Sequence, residues 1–316
     1  MTLTRTRARA PEPRGPGQPP RRRRPLPVGP LLTAPTFIVL ALVILYPALS
    51  AVRQSFFGMP GIDPDTGFVE DTSPFVGADN YLALLTEHGD RFWNAFGNTL
   101  FFTVTAVSIE VVLGVLMALV MARALRGRAL IRASILIPWA IPTAVAALLW
   151  RWIFNADGVA NAILPGQILW TAEGVQAQVA VIVAEVWKTS PFIALLVLAG
   201  LQLVPGEVYE AAKMDGAGAW RRFFSITLPI IKPALLVAVL FRVLDTMRMF
   251  DMPYVLIGPR KSSVETLSML AHDEASNMRF GPASAYAVML FLFVFLIAYV
   301  FVKLLGAEIV GEDDAR

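Results

Sequence analysis

The chain has 316 residues, of which 56% are hydrophobic and only 16% charged, with a net charge of +3 and no cysteine. Soluble globular domains carry about 25% charged residues, so this composition excludes an ordinary soluble enzyme and indicates a polytopic membrane protein. The missing cysteines exclude disulfides and thiol chemistry.

In chain order, residues 1–30 form a Pro- and Arg-rich tail that cannot build a core and is expected to be disordered. It holds Arg5, Arg7, Arg9, Arg14 and the run Arg21 to Arg24 against one acid, Glu12. The apolar run Leu31–Val52 exceeds a secretory core of about 7–15 residues, so it reads as a span rather than a signal peptide cleaved at "ALSA", Ala48 to Ala51. A span needs about 20 apolar residues to cross about 30 Å of hydrocarbon. Five more stretches qualify: Thr99–Val120, Ala133–Ile153, Ala177–Leu203, Ala234–Ile257 and Tyr286–Leu305.

The first connection, a loop at 58–96, carries Asp63, Asp65, Glu70, Asp71, Asp79, Glu87 and Asp90 against Arg91 alone. The second carries Arg123, Arg126, Arg128 and Arg132 and no acid. Basic residues resist export, so both termini are expected in the cytoplasm and the acidic loop outside. The expected architecture is an all-α membrane protein of six transmembrane helices at 31–306, closed by a cytoplasmic tail at 307–316.

The fourth connection, 204–233, is unusually structured for a loop. Pro205 suits a helix start and Gly216 a helix end. After the Gly216-Ala217-Gly218 break, Trp220, Phe223, Phe224 and Thr227 fall at i, i+3, i+4 and i+7, an apolar stripe on a second helix. Pro229 and Pro233 are expected to bend the chain into the fifth span. The pattern predicts a short helix projecting into the cytoplasm, with Ala211 and Ala212 small enough for close approach by a partner. An aromatic helix lying on the floor of the membrane domain would brace it. The plainer alternative is an interfacial helix that seals the span ends.

Glu210-Ala211-Ala212, then Asp215-Gly216-Ala217, then Ile226-Thr227-Leu228-Pro229 resembles the signature of the inner-membrane permeases of binding-protein-dependent ABC importers. The resemblance extends over "LIPWAIPTAVAALLWRWIFNADGVANAIL" (Leu136 to Leu164), "VWKTSPFIALLVLAGLQLVPGEVYEAAKMDGA" and "FDMPYVLIGP" (Phe250 to Pro259), and points to the sugar branch. Gly258-Pro259-Arg260 departs from the Gly-Gly-Pro run frequent in that family. The tail and the acidic loop fall outside the match.

The resemblance implies a type I ABC importer permease fold with a cytoplasmic coupling helix, in which Glu210, Ala211, Ala212, Asp215 and Gly216 meet the ATPase. It implies a location in the inner (plasma) membrane and partners that include a second similar permease and two ATP-binding cassette subunits. An extracytoplasmic sugar-binding lipoprotein would deliver a sugar, a trehalose- or maltose-like disaccharide for preference, with glycerol phosphate as an alternative. ATP and Mg would be bound by the partner ATPase. The chain itself has no Gly-rich loop ending in Gly-Lys-Ser/Thr, so no P-loop, and is expected to be no enzyme and to hold no cofactor. His88 and His272 fall in predicted outer loops without a metal-spaced companion, and no metal site is expected. No nucleic-acid partner is expected; the basic tail reads as a topology anchor.

Ionisable residues inside spans are costly and mark pathways or internal pairs. Glu110, Lys188 and Asp245 fall near span centres, and Glu185 lies one turn from Lys188. The fifth span carries Arg242, Asp245, Arg248 and Asp251 at spacings of three with alternating sign. For Arg242 and Glu110 the plainer reading is structural: each is a buried charge that must be paired somehow and fixes packing against a neighbouring span. Trp187, Lys188, Asp245, Arg248, Phe250, Asp251 and Tyr254 read as a polar-aromatic sugar path between the fourth and fifth spans. The competing reading is a proton-coupled transporter with Glu110, Glu185, Asp245 and Asp251 as relay carboxylates. A membrane-embedded enzyme fits worse, for want of a nucleophile–base arrangement.

Overall fold

The computed structural model describes residues 28–61, 73–87, 89–123 and 127–313, with side chains from Leu32 to Lys303. The basic tail as far as Pro27, the acids Asp63 to Asp71, His88 and Arg126 lie outside the described residues. Five helices are long and apolar enough to cross a membrane: Leu32–Gln54, Gly89–Ala122, Val175–Leu201, Ala219–Thr246 and Phe280–Lys303. Where the third span is expected, the pair Arg128–Ala140 and Thr143–Ile153 is long and apolar enough only when taken together, and is bent by 95° at its break. The described residues thus hold five candidate spans, or six where the bent pair counts as one, and no β-strand, only a single bridge between Phe57 and Phe75.

The first span is one helix interrupted by a π-helical turn at Ala41–Leu45. The break in the third has a local cause. Ile141 precedes Pro142, and a residue before proline is driven out of the α region; Ile141 accordingly sits at φ −75°, ψ 133° and ends the first half-helix.

Lipid tails are as apolar as leucine, so helix association inside a membrane rests on close packing of small residues and on polar contacts more than on burial. The second and fourth spans illustrate this at Gly114, where an added Cβ would lie 2.7 Å from Ile193. A second cluster joins Ala146, Ala147, Ala177, Ala180 and Ala184 to Met252 and Leu256.

Three expected boundaries change, the first at the second span, whose helix begins at Gly89 rather than Thr99, inside the expected loop 58–96. The fifth helix starts at Ala219, runs through a π-helical turn at Phe223–Thr227, stops at Thr246, and the chain resumes helix only at Asp251–Leu256. The predicted continuous span Ala234–Ile257 is thus broken between Met247 and Phe250. The aromatic stripe, expected on a separate helix lying flat, is instead the first turns of the fifth span, with Pro233 inside the helix. Trp220 and Phe224 stack on each other and are largely exposed, whereas Phe223 packs on the core and Thr227 is buried.

The predicted outer connections meet at one end of the bundle. Asn98 donates to the carbonyls of Ser262 and Glu265 at 2.7 and 3.0 Å. Arg91 binds Glu265 at 2.6 Å and Asp273 at 2.9 Å. The Glu173 carboxylate accepts from the backbone N–H and the hydroxyl of Ser262. Those hydrogen bonds, led by the Ser262 hydroxyl, hold the Glu173 carboxyl below the ordinary glutamate range. At the opposite end, Arg132 caps the second span by donating to the Met121 carbonyl at 2.9 Å.

Candidate translocation and coupling sites

Arg242 sits at the centre of the membrane domain's charge. Its Nε donates to Glu110 at 2.7 Å, one Nη to Glu185 at 2.9 Å and the other to Asp245 at 2.6 Å. Thr246 and Thr189 complete the shell, the latter donating to Glu110 at 2.7 Å. Arg242, Glu110 and Glu185 are almost wholly inaccessible, which only pairing makes tolerable. The node bolts the second, fourth and fifth spans together. Sequence spacing indicates the Arg242–Asp245 pair at i, i+3; the participation of Glu110 and Glu185, on other spans, depends on tertiary packing. With Glu110, Glu185 and Asp245 all tied to one guanidinium, the four acids of a proton relay are not four free carboxylates.

Beside the node lies a cavity of about 180 Å³ lined by Thr143, Glu185, Lys188, Asp245, Arg248, Phe250 and Asp251, among others. Lys188 is the middle residue of the helix Val175–Leu201, so the cavity lies at mid-depth. The break between Thr246 and Asp251 opens beside it, as expected, since irregular backbone at membrane depth is tolerated only where it lines a cavity or is buried in protein. Lys188 is 8% exposed and its ammonium contacts no acid among the described residues closely enough to form an ion pair. Asp245 keeps 65% of its side chain accessible while still binding Arg242. Arg248 is exposed, with its Nε on the Leu244 carbonyl at 3.1 Å. Asp251 opens the short helix Asp251–Leu256, where a carboxylate complements the helix dipole. Five of the seven residues read as a path thus line one cavity, joined by Thr143 and Thr189, whose hydroxyls carry no charge signal in the sequence.

The other two lie elsewhere. Trp187 faces the opposite side of its helix and joins Trp150 in a separate, apolar cavity of about 500 Å³, their rings 5.6 Å apart. Tyr254 stacks on Phe250 at 4.8 Å but lines a third cavity, with Arg260, His272 and Asp273. One residue along a helix turns a side chain by about 100°, which separates Trp187 from Lys188. His272 lies on the helix Leu267–Ser276 rather than in a loop.

At the other end, the five residues read as coupling residues share one short element. Pro205 precedes the helix Gly206–Met214, and Asp215 caps it. Gly216 follows at φ 74°, its N–H on the Lys213 carbonyl at 3.0 Å while the Ala217 N–H reaches the Ala212 carbonyl at 2.9 Å. That paired arrangement is a Schellman motif, which needs a left-handed residue where glycine is at ease. Glu210, Ala211 and Asp215 are exposed and Ala212 half-buried. The element is tethered by the Tyr209 hydroxyl on Thr227 at 2.7 Å and by Arg222 donating to the Ala217 carbonyl at 2.9 Å.

A bundle broken at mid-depth around a polar cavity, with a tethered helix projecting from one end, defines the chain as a transport subunit. Residues 110–309 match the family of binding-protein-dependent transport system inner membrane components, and the chain belongs to that family. It is 37% identical over 282 residues to the trehalose/maltose transport system permease protein of Thermococcus litoralis, covering 87% of this chain and 92% of that protein. It is 40% identical over 289 residues to the trehalose transport system permease protein of Mycobacterium tuberculosis, covering 90% of this chain and 91% of that one. Its fold is similar to a chain in the crystal structure of a bacterial ABC transporter involved in the import of the acidic polysaccharide alginate, with a TM-score of 0.73 at 18% identity over 88% of this chain and 94% of the other. At that identity the likeness concerns the fold alone.

Proposed function

We propose that this chain is a membrane-spanning subunit of an ATP-driven importer for an uncharged sugar, with a disaccharide such as trehalose or maltose as its substrate. The carrying observation is the mid-depth cavity, where Lys188, Arg248, Asp245 and Asp251 present donors and acceptors of both signs beside the Phe250 ring. Hydroxyl groups can accept from the cations and donate to the carboxylates, and the mixed charge leaves no net attraction for an ion. The two trehalose-transport relatives support the substrate class.

A cavity of this size covers one sugar ring, so a second, similar permease subunit would supply the rest of the passage. The helix Gly206–Met214 would seat in an ATPase subunit, with Ala211 and Ala212 permitting close approach and Glu210 and Asp215 making the polar contacts; two such ATPases would carry the nucleotide and Mg. The end gathering Glu173, Ser262 and Asp273 would face outward and receive an extracytoplasmic binding protein. Both termini would lie in the cytoplasm, and exposed Trp220 and Phe224 would sit at the inner membrane boundary, where amphipathic rings concentrate.

The test is uptake of radiolabelled trehalose by proteoliposomes containing the whole complex, comparing the natural chain with Lys188→Met. Uptake should fall at least tenfold in the variant, with the number of ATPase subunits retained unchanged. Trehalose and maltose uptake at the natural rate in the variant would remove the cavity from the path.

A further inference from the structure

The third cavity, at the outer end, has the makings of a binding site that the transport path as derived above does not use. Its volume is about 180 Å³, and Tyr254, Arg260, Glu265, His272, Asp273 and Ser276 are in its lining. This falls below the roughly 300–1,000 Å³ of pockets for drug-sized ligands and matches the inner cavity, also about 180 Å³, so it admits one ring at a time.

Its charges cancel. Arg91 holds Glu265 at 2.6 Å and Asp273 at 2.9 Å, and Arg260 holds the other Asp273 oxygen at 3.0 Å, two cations against two acids. A balanced cluster offers hydrogen bonds without selecting an ion, and no group of three or more possible metal ligands occurs among the described residues. Burial pushes the Asp273 carboxyl up, but the hydrogen bonds from Arg91 and Arg260 outweigh it and keep the group below the ordinary aspartate range, an acceptor throughout the physiological range.

Two further observations point to a ligand. Arg260 is held at φ 56°, a left-handed conformation that costs a non-glycine residue energy and recurs at ligand clamps. Among the described residues only its Nε is engaged, on Asp273, and 62% of the side chain is accessible. The aromatic wall is continuous with the inner cavity's own: Phe250 lines the inner cavity and lies 4.8 Å from both Tyr254 and His272, which line the outer one.

We propose that this outer cavity is a second carbohydrate subsite, holding one pyranose ring of an uncharged disaccharide against Tyr254 and His272, with Arg260 and Asp273 on its hydroxyls. The proposal rests on the sugar-import reading and adds to it an entry station separated from the inner cavity by the Phe250 ring. A disaccharide has two rings, and the chain then offers two single-ring cavities that share one aromatic partition.

The sequence lacks cysteine, so single cysteines report site by site. Ser276→Cys places a thiol in the lining of the outer cavity and Thr143→Cys one in the inner lining. Each is assembled into the whole complex, labelled with a maleimide, and the rate read on this chain's band with and without saturating trehalose. We expect trehalose to slow labelling at Ser276→Cys at least threefold, and Arg260→Ala in the same background to abolish that protection while the complex retains its ATPase subunits. Protection at Thr143→Cys with none at Ser276→Cys would overturn the outer subsite and leave the importer reading standing. Protection at Ser276→Cys that survives Arg260→Ala would also overturn it, since the guanidinium would then play no part. Protection at neither position, together with no uptake of trehalose or maltose, would sink the importer reading and this inference with it.

Discussion

The Arg242 node and the helix Gly206–Met214 both concentrate charge, yet they treat it in opposite ways. Around Arg242 each buried acid is consumed by a partner in the same chain: Glu110 and Glu185 are tied to one guanidinium and closed off from solvent. On the short helix, Glu210 and Asp215 stand in the open beside small residues. Charge that a protein satisfies internally holds its helices in place; charge left open is available to something else. Lys188 and Asp251 fall between these cases, the first buried and the second exposed, and both face a cavity; that is the ground on which they are proposed to serve the substrate rather than the scaffold.

The comparison breaks most visibly at Arg242. Arg242→Met leaves Glu110 and Glu185 buried without a cation, and removing one partner from a buried pair costs about 3–5 kcal/mol. The expected outcome is a marked fall in the temperature at which the detergent-solubilised complex loses its monodisperse elution. Adding Glu110→Gln and Glu185→Gln should restore most of the loss. Unchanged thermal behaviour in the single variant would show that the node is not what holds the three spans together.

A smaller effect is expected at the other region. A Cβ added at Gly216 meets no atom within 4 Å, so what resists Gly216→Val at that position is the left-handed φ of 74°. That conformation costs an L-residue about 1–2 kcal/mol, more with a β-branch. The Schellman turn should open and the projecting helix lose its orientation, while the membrane core keeps its stability. Copurification of ATPase subunits should drop and sugar-stimulated hydrolysis with it, at an unaltered melting temperature. A variant that retains its ATPases and couples normally would make this loop an interfacial seal.

Much of this was legible in the residues. Hydropathy located the five long helices and the bent pair, because a membrane helix must be long and apolar wherever it sits. The Pro205-to-Gly216 frame located the short helix to within a residue, because both ends are fixed by local backbone chemistry. Where the reading failed, the deciding physics was not local. Arg242, Asp245, Arg248 and Asp251 at spacings of three look like one helix face, but the helix ends at Thr246 to open a cavity, a choice made by neighbouring spans. Trp187 and Tyr254 were aligned with the path by proximity in sequence, and helical rotation and the break at Met247–Phe250 sent them to other cavities. The network of Arg91 with Glu265 and Asp273 joins residues more than 170 positions apart, a distance no local pattern spans.

The smallest effect concerns that network and extends the comparison to a third, half-exposed setting. Asp273 has its carboxyl held below its ordinary value of 3.8, by hydrogen bonds from Arg91 and Arg260 that outweigh the upward push of burial. A group whose folded pKa is depressed contributes stability that is present above its unfolded value and is lost as pH falls through the folded one. The clamp between the second span and the helix Leu267–Ser276 should therefore be unaffected between pH 7 and pH 5 and should loosen only once the pH drops beneath the ordinary aspartate range. The partners are half-exposed, so screening keeps the contribution small. The measurement is hydrogen exchange of Leu267–Ser276 at matched intrinsic rates across that range, in the natural chain and in Asp273→Asn. The natural chain should show protection flat to pH 5 and falling below pH 4, and the variant should show reduced protection with no such step. A step of equal size in Asp273→Asn would show that Asp273 is not the source of the acid sensitivity and that its bonds to Arg91 and Arg260 are not what holds the clamp.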